Sequence, residues 1–291
     1  MVPAPWRRHP SEAALSPHID QYRSRGYAIV RGVFHSAEIA ELAAAFDREY
    51  AAGLRHGRSF RHGNLHYRLA QDAALGRIVR LVQWPSYHDA VLNRFRVDPR
   101  MLAIVAPLIG RDVKQIINQM HWKPPGAAMV DFAFHQDVRF RRPRDAYRNL
   151  AESYVQTGIA VDRHTRASGA MRLLPASHRL GEIALASNRR IADTHASEQT
   201  LLEAELDPAG LVDLDLEPGD VALWSSYTVH GSGPNTTAHD RRLYINGYVR
   251  AADCDRGEWA WRSGLPCPLG APQLVHYEAL HERPEPHYLD N

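Results

Sequence analysis

Residues 131–140 read DFAFHQDVRF. Here an aromatic and apolar run is interrupted by a histidine and an aspartate two positions apart. Ionisable side chains are seldom buried unless they are paired or coordinate a metal. Backbone geometry decides whether such a pair can share one ion. On a strand, side chains at i and i+2 project from the same face; on a helix they lie about 200° apart. The chain holds two such triplets, His18-Ile19-Asp20 and His135-Gln136-Asp137. The first follows Ser16-Pro17, a helix start with proline at the first helical position. There Asp20 favours the helix dipole and His18 is solvated. His135 and Asp137 fall in or at the end of a strand, so both can address one ion.

Working outward, the chain of 291 residues is 44% hydrophobic and 23% charged, enough for a sizeable core and too apolar for disorder. Its net charge of +2 gives no case for nucleic acid. No stretch approaches the roughly 20 apolar residues of a membrane span. The opening MVPAPWRRHPSEAAL lacks the apolar core of a signal peptide. A cytoplasmic location is therefore expected, with Cys254 and Cys267 as free thiols. The basic residues are almost all arginine, which discounts any argument from arginine abundance. With seventeen histidines, most are bystanders.

The first third reads as helical with one early strand, YAIVRGV (27–33). Ser36 can cap a second helix, in which Ile39, Leu42, Ala43, Phe46 and Tyr50 recur at helical spacing. DPRMLAIVAPLIG (98–110) has the Asp-Pro start and Gly stop of a third. After residue 111 the texture becomes many short β-type runs punctuated by Pro, Gly, Asn and Asp. This pattern favours a sandwich, jelly roll or barrel over alternating βαβ units. The expected fold is mainly β with helical additions: a double-stranded β-helix (jelly roll, cupin-like) core packed by N-terminal helices. One domain spans 1–291, with a helical layer at about 10–110, a jelly-roll core at about 111–251 and a C-terminal extension at 252–291. Residues 186–210 read as a polar, partly helical insertion.

A histidine and an aspartate do not complete a metal site. The facial triad of non-haem iron oxygenases needs a second histidine and leaves open positions for cosubstrate and oxygen. His230, in WSSYTVHGSGPN, follows a strand and opens a Gly-rich turn where backbone and ligand can approach closely. Its separation from His135 fits ligands at opposite ends of a jelly roll. Taken alone, it reads more readily as a histidine that merely caps a strand end.

FHQD (134–137), SGAMRLLPASH (168–178), LEPGDVALWSSYTVHGSGPN (216–235) and Arg241 occur in an order that resembles the phytanoyl-CoA dioxygenase family of Fe(II)/2-oxoglutarate-dependent oxygenases. RGYAIVRGVFHSAEIAEL (25–42) and WKPPG (122–126) are similar to that family's opening and pre-motif strand. The resemblance covers roughly residues 20–250. It implies that His135, Asp137 and His230 bind iron. It implies that Arg241, eleven residues after His230, holds the far carboxylate of 2-oxoglutarate, with Ser232 beside it. A guanidinium fork suits a carboxylate bidentately, and strand alternation points Arg242 the other way. Gln119, His121 and Lys123 share one strand face and are expected at the pocket; for Lys123 a solvated strand end is the alternative. Thr157 is a further candidate for the cosubstrate, and Trp224 for the substrate.

Two departures from the family pattern stand out. PASH (175–178) has Ala176 where the family has Gly, which implies a slightly different turn. Gly158 lies where a Trp is common, which would leave extra room. Asp137 is intact, whereas the halogenating relatives replace it, so halogenation is not expected. The implied activity is hydroxylation of an unactivated C–H bond of a small molecule, using Fe(II), 2-oxoglutarate and O2 and releasing succinate and CO2. A cupin-like metalloenzyme that does not use 2-oxoglutarate, and a non-catalytic metal-binding protein, are the alternatives. RFRRPRDAYR (139–148) reads as a solvated loop or as an anion-binding rim; Arg139 shares the parity of His135 and Asp137. FRHGNLHYRLAQD (60–72) is a candidate lid offering Tyr67 and Arg68. GxSxG, Walker and GxGxxG motifs are absent.

Overall fold

The short β-type runs assemble into two antiparallel sheets. The computed structural model describes residues 12–127, 130–186, 192, 195–270, 283 and 285–289. In chain order the strands are β1 (Tyr27–Val30), β2 (Phe60–His62), β3 (Leu65–Asp72), β4 (Gly76–Gln83), β5 (Val113–Lys123), β6 (Phe132–His135), β7 (Tyr154–Ala160) and β8 (Arg172–Leu173). They continue as β9 (Val212–Asp213), β10 (Val221–Trp224), β11 (His230–Ser232), β12 (Arg241–Arg250), β13 (Glu258–Arg262), β14 (Leu265–Pro266) and β15 (His287–Tyr288). The major sheet runs β1-β10-β7-β12-β5-β4-β3-β2-β15, with β13 and β14 joined at one end of β5. The minor sheet runs β6-β11-β8-β9. Helices flank the sheets, and the result is a mixed α/β architecture resembling the jelly roll of related oxygenases, without a closed barrel.

Strand alternation gives the major sheet two different faces. On β5, Met120 and Trp122 face outward. Trp122 packs against Phe46 and Tyr50 of the helix α2 (Ser36–His56), whose Ile39 and Leu42 are also buried. The intervening Ile117, Gln119 and His121 face inward, toward the minor sheet. The backbone N–H of His35 donates to Glu38 at 2.9 Å at the start of α2, so the cap falls one residue before Ser36.

The N-terminal third is less helical than its sequence suggests. Three strands, β2 to β4, occupy residues 60–83 and extend the major sheet beside β5. Leu65, Tyr67 and Leu69 alternate into the core, a period-two pattern bounded by left-handed glycines at Gly63 and Gly76. The first helix (Glu12–Arg25) begins before Ser16-Pro17 and carries Pro17 inside it. The third (Pro99–Ile109) matches its expected bounds, with Asp98 accepting the Arg100 N–H at 2.9 Å. Of the 186–210 insertion, the described part includes a short helix at Gln199–Leu202; 187–191 and 193–194 lie outside the described residues, as does most of the C-terminal extension beyond 270. Among the described residues no helix is long and apolar enough to cross a membrane.

Two left-handed turns join the N-terminal segment to the sheets. Gly219 (φ 92°) lies in the LEPGD turn; its carbonyl accepts the Phe34 N–H at 3.1 Å, and an added Cβ would collide with the Phe34 carbonyl oxygen. Ala176 (φ 65°) keeps the left-handed turn that glycine would favour, and its N–H donates to Arg25 at 2.8 Å. The alanine therefore carries backbone strain without changing the turn.

Opposite effects follow at these positions. Gly219→Ala should lower stability by at least about 1–3 kcal/mol, from the strained backbone alone. Ala176→Gly should raise it by roughly 0.5–1 kcal/mol: relief of about 1–2 kcal/mol of left-handed strain exceeds the added unfolded-state entropy of about 0.5–1 kcal/mol. Thermal melts of the two variants check both signs.

Candidate metal centre and active-site cavity

The minor sheet sets the positions of two histidines. Strands β6 and β11 are antiparallel neighbours, and His135 and His230 are direct cross-strand partners. They are therefore adjacent in space, not at opposite ends of the jelly roll. Their ring centroids lie 4.3 Å apart. Asp137 begins a 3-10 turn just after β6. One ligand atom from each of His135, Asp137 and His230 falls within 4.8 Å of the others. His135 Nε2 is 3.7 Å from Asp137 Oδ1, and His230 Nε2 is 3.9 Å from Oδ2.

Hydrogen bonds behind the ligands fix their orientation. His135 Nδ1 lies 2.7 Å from the Ala133 carbonyl, and His230 Nδ1 lies 2.9 Å from the Thr228 carbonyl. Both Nδ1 atoms must therefore carry the proton, which leaves each Nε2 lone pair for a metal. Trp224 Nε1 donates to Asp137 Oδ2 at 3.0 Å. Burial, followed by the charge of His135, pushes the His230 imidazole down to about 4. Burial works against ionisation of Asp137, but His230, His135 and Arg141 together hold its carboxyl below the usual range. Two neutral imidazoles and one carboxylate form the donor set of a facial triad. Gln136, between the ligands, points away. Its amide donates to the carbonyls of Gly181 (2.8 Å) and Tyr227 (2.6 Å) and accepts the Ile183 N–H at 2.7 Å.

The triad opens into a cavity of about 330 Å³ between the two sheets. Gln119, His121, Arg139, Arg68, Trp224, Ser232 and Arg241 line it with the triad. His121 stacks on Phe132, and its Nε2 lies 3.0 Å from Gln119 Oε1. Burial, with the charges of Arg241 and Arg80, pushes His121 down to about 3, so it stays neutral. Arg139 extends over the Phe140 ring at 4.9 Å. It reaches the cavity from the 3-10 turn (Asp137–Phe140), so strand parity with His135 does not place it.

Four expected positions differ in detail. Tyr67 faces the helices, with its hydroxyl donating to Glu49 at 2.5 Å; alternation on β3 leaves only Arg68 at the cavity. Thr157 turns its hydroxyl to the Asn246 carbonyl at 2.8 Å, and its neighbour Gln156 lines the cavity instead. Lys123 is fully buried and not solvated; its Nζ donates to the carbonyls of Ser232 and Gly233. Trp224 holds the Asp137 carboxylate as well as lining the wall. The room expected at Gly158 is taken by Leu243, whose Cδ1 would lie 3.0 Å from an added Cβ. His18 and Asp20 remain on the first helix, far along the chain from the triad's strands.

At the other end of the cavity Arg241 is 3% exposed. Its Nη2 donates to the Gly169 carbonyl at 2.7 Å, while its buried Nε has no acceptor. Burial, then repulsion from Arg80, pushes its guanidinium down to about 9, so it remains charged at neutral pH. Its neighbour Arg242 lies outside the cavity, bidentate on Asp162 at 2.9 Å for both bonds. The excess of positive charge and the unsatisfied N–H fit a bound carboxylate.

Residues 22–243 match the Phytanoyl-CoA dioxygenase (PhyH) family, and the chain belongs to it. The protein is thus a 2-oxoglutarate/Fe(II)-dependent oxygenase of small molecules with a facial-triad metal site. It is 25% identical over 234 residues to a probable alpha-ketoglutarate-dependent hypophosphite dioxygenase of Stutzerimonas stutzeri, covering 79% of this chain and 77% of that one. It is 30% identical over 155 residues to a methylphosphonate hydroxylase of Gimesia maris, covering 52% of this chain and 51% of the relative. The fold is shared with the epimerase SnoN, solved with Fe3+, alpha ketoglutarate and nogalamycin RO: TM-score 0.59, 22% identity, 89% of this chain and 93% of that one.

Replacing Trp224 by Phe removes one hydrogen bond to the carboxylate and keeps the ring. Loss of such a supporting bond costs about 10–100-fold in metal affinity. Titration of the apoprotein with Fe(II) under anaerobic conditions should show a drop in this range for Trp224→Phe, loss of the site for His135→Ala, Asp137→Ala and His230→Ala, and no change for His18→Ala.

Proposed function

We propose that the protein hydroxylates an unactivated C–H bond of a small molecule, with 2-oxoglutarate converted to succinate and CO2. The observation that carries this reading is Arg241: a buried guanidinium with an unsatisfied Nε, in the same cavity as the triad. Its position eleven residues after His230, where the family holds the cosubstrate carboxylate, favours 2-oxoglutarate over a metalloenzyme that does not use it. The relatives named for hypophosphite and methylphosphonate act on small compounds, in keeping with the modest cavity.

Each residue has a defined task in this reading. His135, Asp137 and His230 hold Fe(II), which with 2-oxoglutarate and O2 supplies oxidising chemistry that side chains lack. Trp224 keeps the Asp137 carboxylate turned toward the two Nε2 atoms. Arg241 receives the distal carboxylate of 2-oxoglutarate, with Ser232, at the end of β11 in the facing sheet, lining the same cavity. Neutral His121 and Gln119 line the wall without adding charge. The apolar side chains of Phe132, Leu243 and Ile245 keep bulk water from the space between the sheets.

Removing one partner of a buried charge pair typically costs 2–5 kcal/mol or more. At about 1.4 kcal/mol per decade, Arg241→Ala should weaken 2-oxoglutarate binding by roughly 30-fold or more, with Fe(II) binding retained. Arg241→Lys should recover only part, since a point charge cannot form the fork. Arg242→Ala should leave 2-oxoglutarate affinity alone and lower the melting temperature, because it breaks the contacts with Asp162 and Asp47. Isothermal titration measures the affinities. Absence of 2-oxoglutarate binding and of succinate release by the wild type would remove this reading.

A further inference from the structure

The arginine-rich stretch 139–148 divides into residues with different surroundings. Arg142 and Arg144 both pair with Glu182, and Arg148 pairs with Asp255. Arg141 does not share this surface role. It is 1% exposed, it lines the cavity, and it has no ion-pair partner within 4 Å among the described residues. Its Nη2 donates to the Tyr154 hydroxyl at 2.9 Å, and its guanidinium lies over the Tyr154 ring at 5.0 Å. Its Nε is buried without an acceptor. Tyr154 in turn donates to Gln156, which also lines the cavity.

The surroundings of Arg141 are built to hold it there. Gly247 on β12 has no side chain where the Tyr154 hydroxyl and the Gln156 amide lie; a Cβ would collide with both. Fully burying a guanidinium without a matching anion is costly. Among the residues that line the cavity the one carboxylate is Asp137, which also acts on Arg141; in the reading above it would serve the metal, and it accepts from Trp224. With a divalent cation bound, Arg141 lacks a counter-charge.

The position of Arg141 separates it from the proposed cosubstrate anchor. Arg241 and Gly247 lie six residues apart on β12, roughly 20 Å of strand at 3.3–3.4 Å per residue. Arg80 and Asp162 act on the charge of Arg241, whereas Tyr154, Asp137 and Tyr147 act on that of Arg141. The cavity therefore holds two buried cationic groups, Arg241 and Arg141, together with the triad. We propose that Arg141, with Tyr154 and Gln156 behind it, is the anchor for an oxyanion group of the primary substrate, a carboxylate or a phosphonate. This inference rests on the reading that 2-oxoglutarate occupies the Arg241 end. The substrate is then a small anion, held by its charged group so that its carbon skeleton extends toward the metal.

The test uses Fe(II)-loaded protein under anaerobic conditions, titrated calorimetrically with propionate, methylphosphonate, and the neutral propionamide and dimethyl methylphosphonate. Each titration is run with and without saturating 2-oxoglutarate. The wild type should bind at least one of the two anions and neither neutral compound, and which anion binds identifies the oxyanion class. Arg141→Gln should weaken that anion by roughly 30-fold or more while retaining Fe(II) and 2-oxoglutarate binding. Arg141→Met, apolar and of similar length, carries the same test if the glutamine variant does not fold. Arg144→Gln, on the surface beside Glu182, should leave the anion's affinity unchanged. Unchanged anion affinity in the Arg141 variants, anion binding that is lost in Arg241→Ala instead, or no binding of either anion to the wild type would overturn the proposal. Failure of 2-oxoglutarate to bind the wild type would count against the cosubstrate reading alone, since comparing Arg141→Gln with Arg241→Ala in its absence still shows which guanidinium holds the anion.

Discussion

The pairing of β6 with β11 is the contact on which the rest of the molecule depends. It sets His135 opposite His230, so that two residues distant in the chain become one donor pair. Side chains alternate along a strand, so a slip of one residue would turn one histidine out of the cavity. The pairing is short, and additional bonds support it. The Val138 N–H donates to the Ser226 carbonyl at 2.9 Å, and Gln136 ties the same region to Gly181, Ile183 and Tyr227. The polar residue between the two ligands of the HQD motif thus acts as the clamp that holds them in register.

The second constraint is charge. Arg241, Lys123 and Arg141 are all fully or nearly fully buried, and the cavity's own carboxylate, Asp137, is engaged with the two histidines and Trp224. Burial lowers the Lys123 ammonium well below its usual range, with Arg241 adding to the effect, and the amine is satisfied by backbone carbonyls. Such an arrangement costs stability unless anions arrive to complete it. A binding site of this kind is stable as a complex and strained without its ligands, which is a common trade between stability and activity. The contrast between Arg241 and Arg242 shows how finely strand geometry distributes the charge. Arg241 is left with an unsatisfied N–H inside the cavity; Arg242, one residue on and on the opposite face, is saturated by Asp162 and Asp47.

The sequence by itself determined the β-rich core and the triad, because both are written in local patterns: the two-residue spacing of His135 and Asp137 at the end of a strand, and a family order of motifs that selected His230 from seventeen histidines. It also separated Arg241 from Arg242, since alternation is a property of any strand. It missed β2 to β4, because their alternation begins in a polar stretch, 60–72, that also reads as a lid. It chose Thr157 over Gln156 and offered Tyr67 together with Arg68, although neighbours on a strand cannot share a face. What only the tertiary structure decided is which polar groups are left without partners. Arg141 is one of five arginines in ten residues and has no local signal that sets it apart. Its neighbours Arg142, Arg144 and Arg148 find Glu182 and Asp255 far along the chain, while Arg141 finds the Tyr154 hydroxyl and no carboxylate. Burial and charge compensation are sums over residues that meet only when the chain has folded, so no window of sequence contains them.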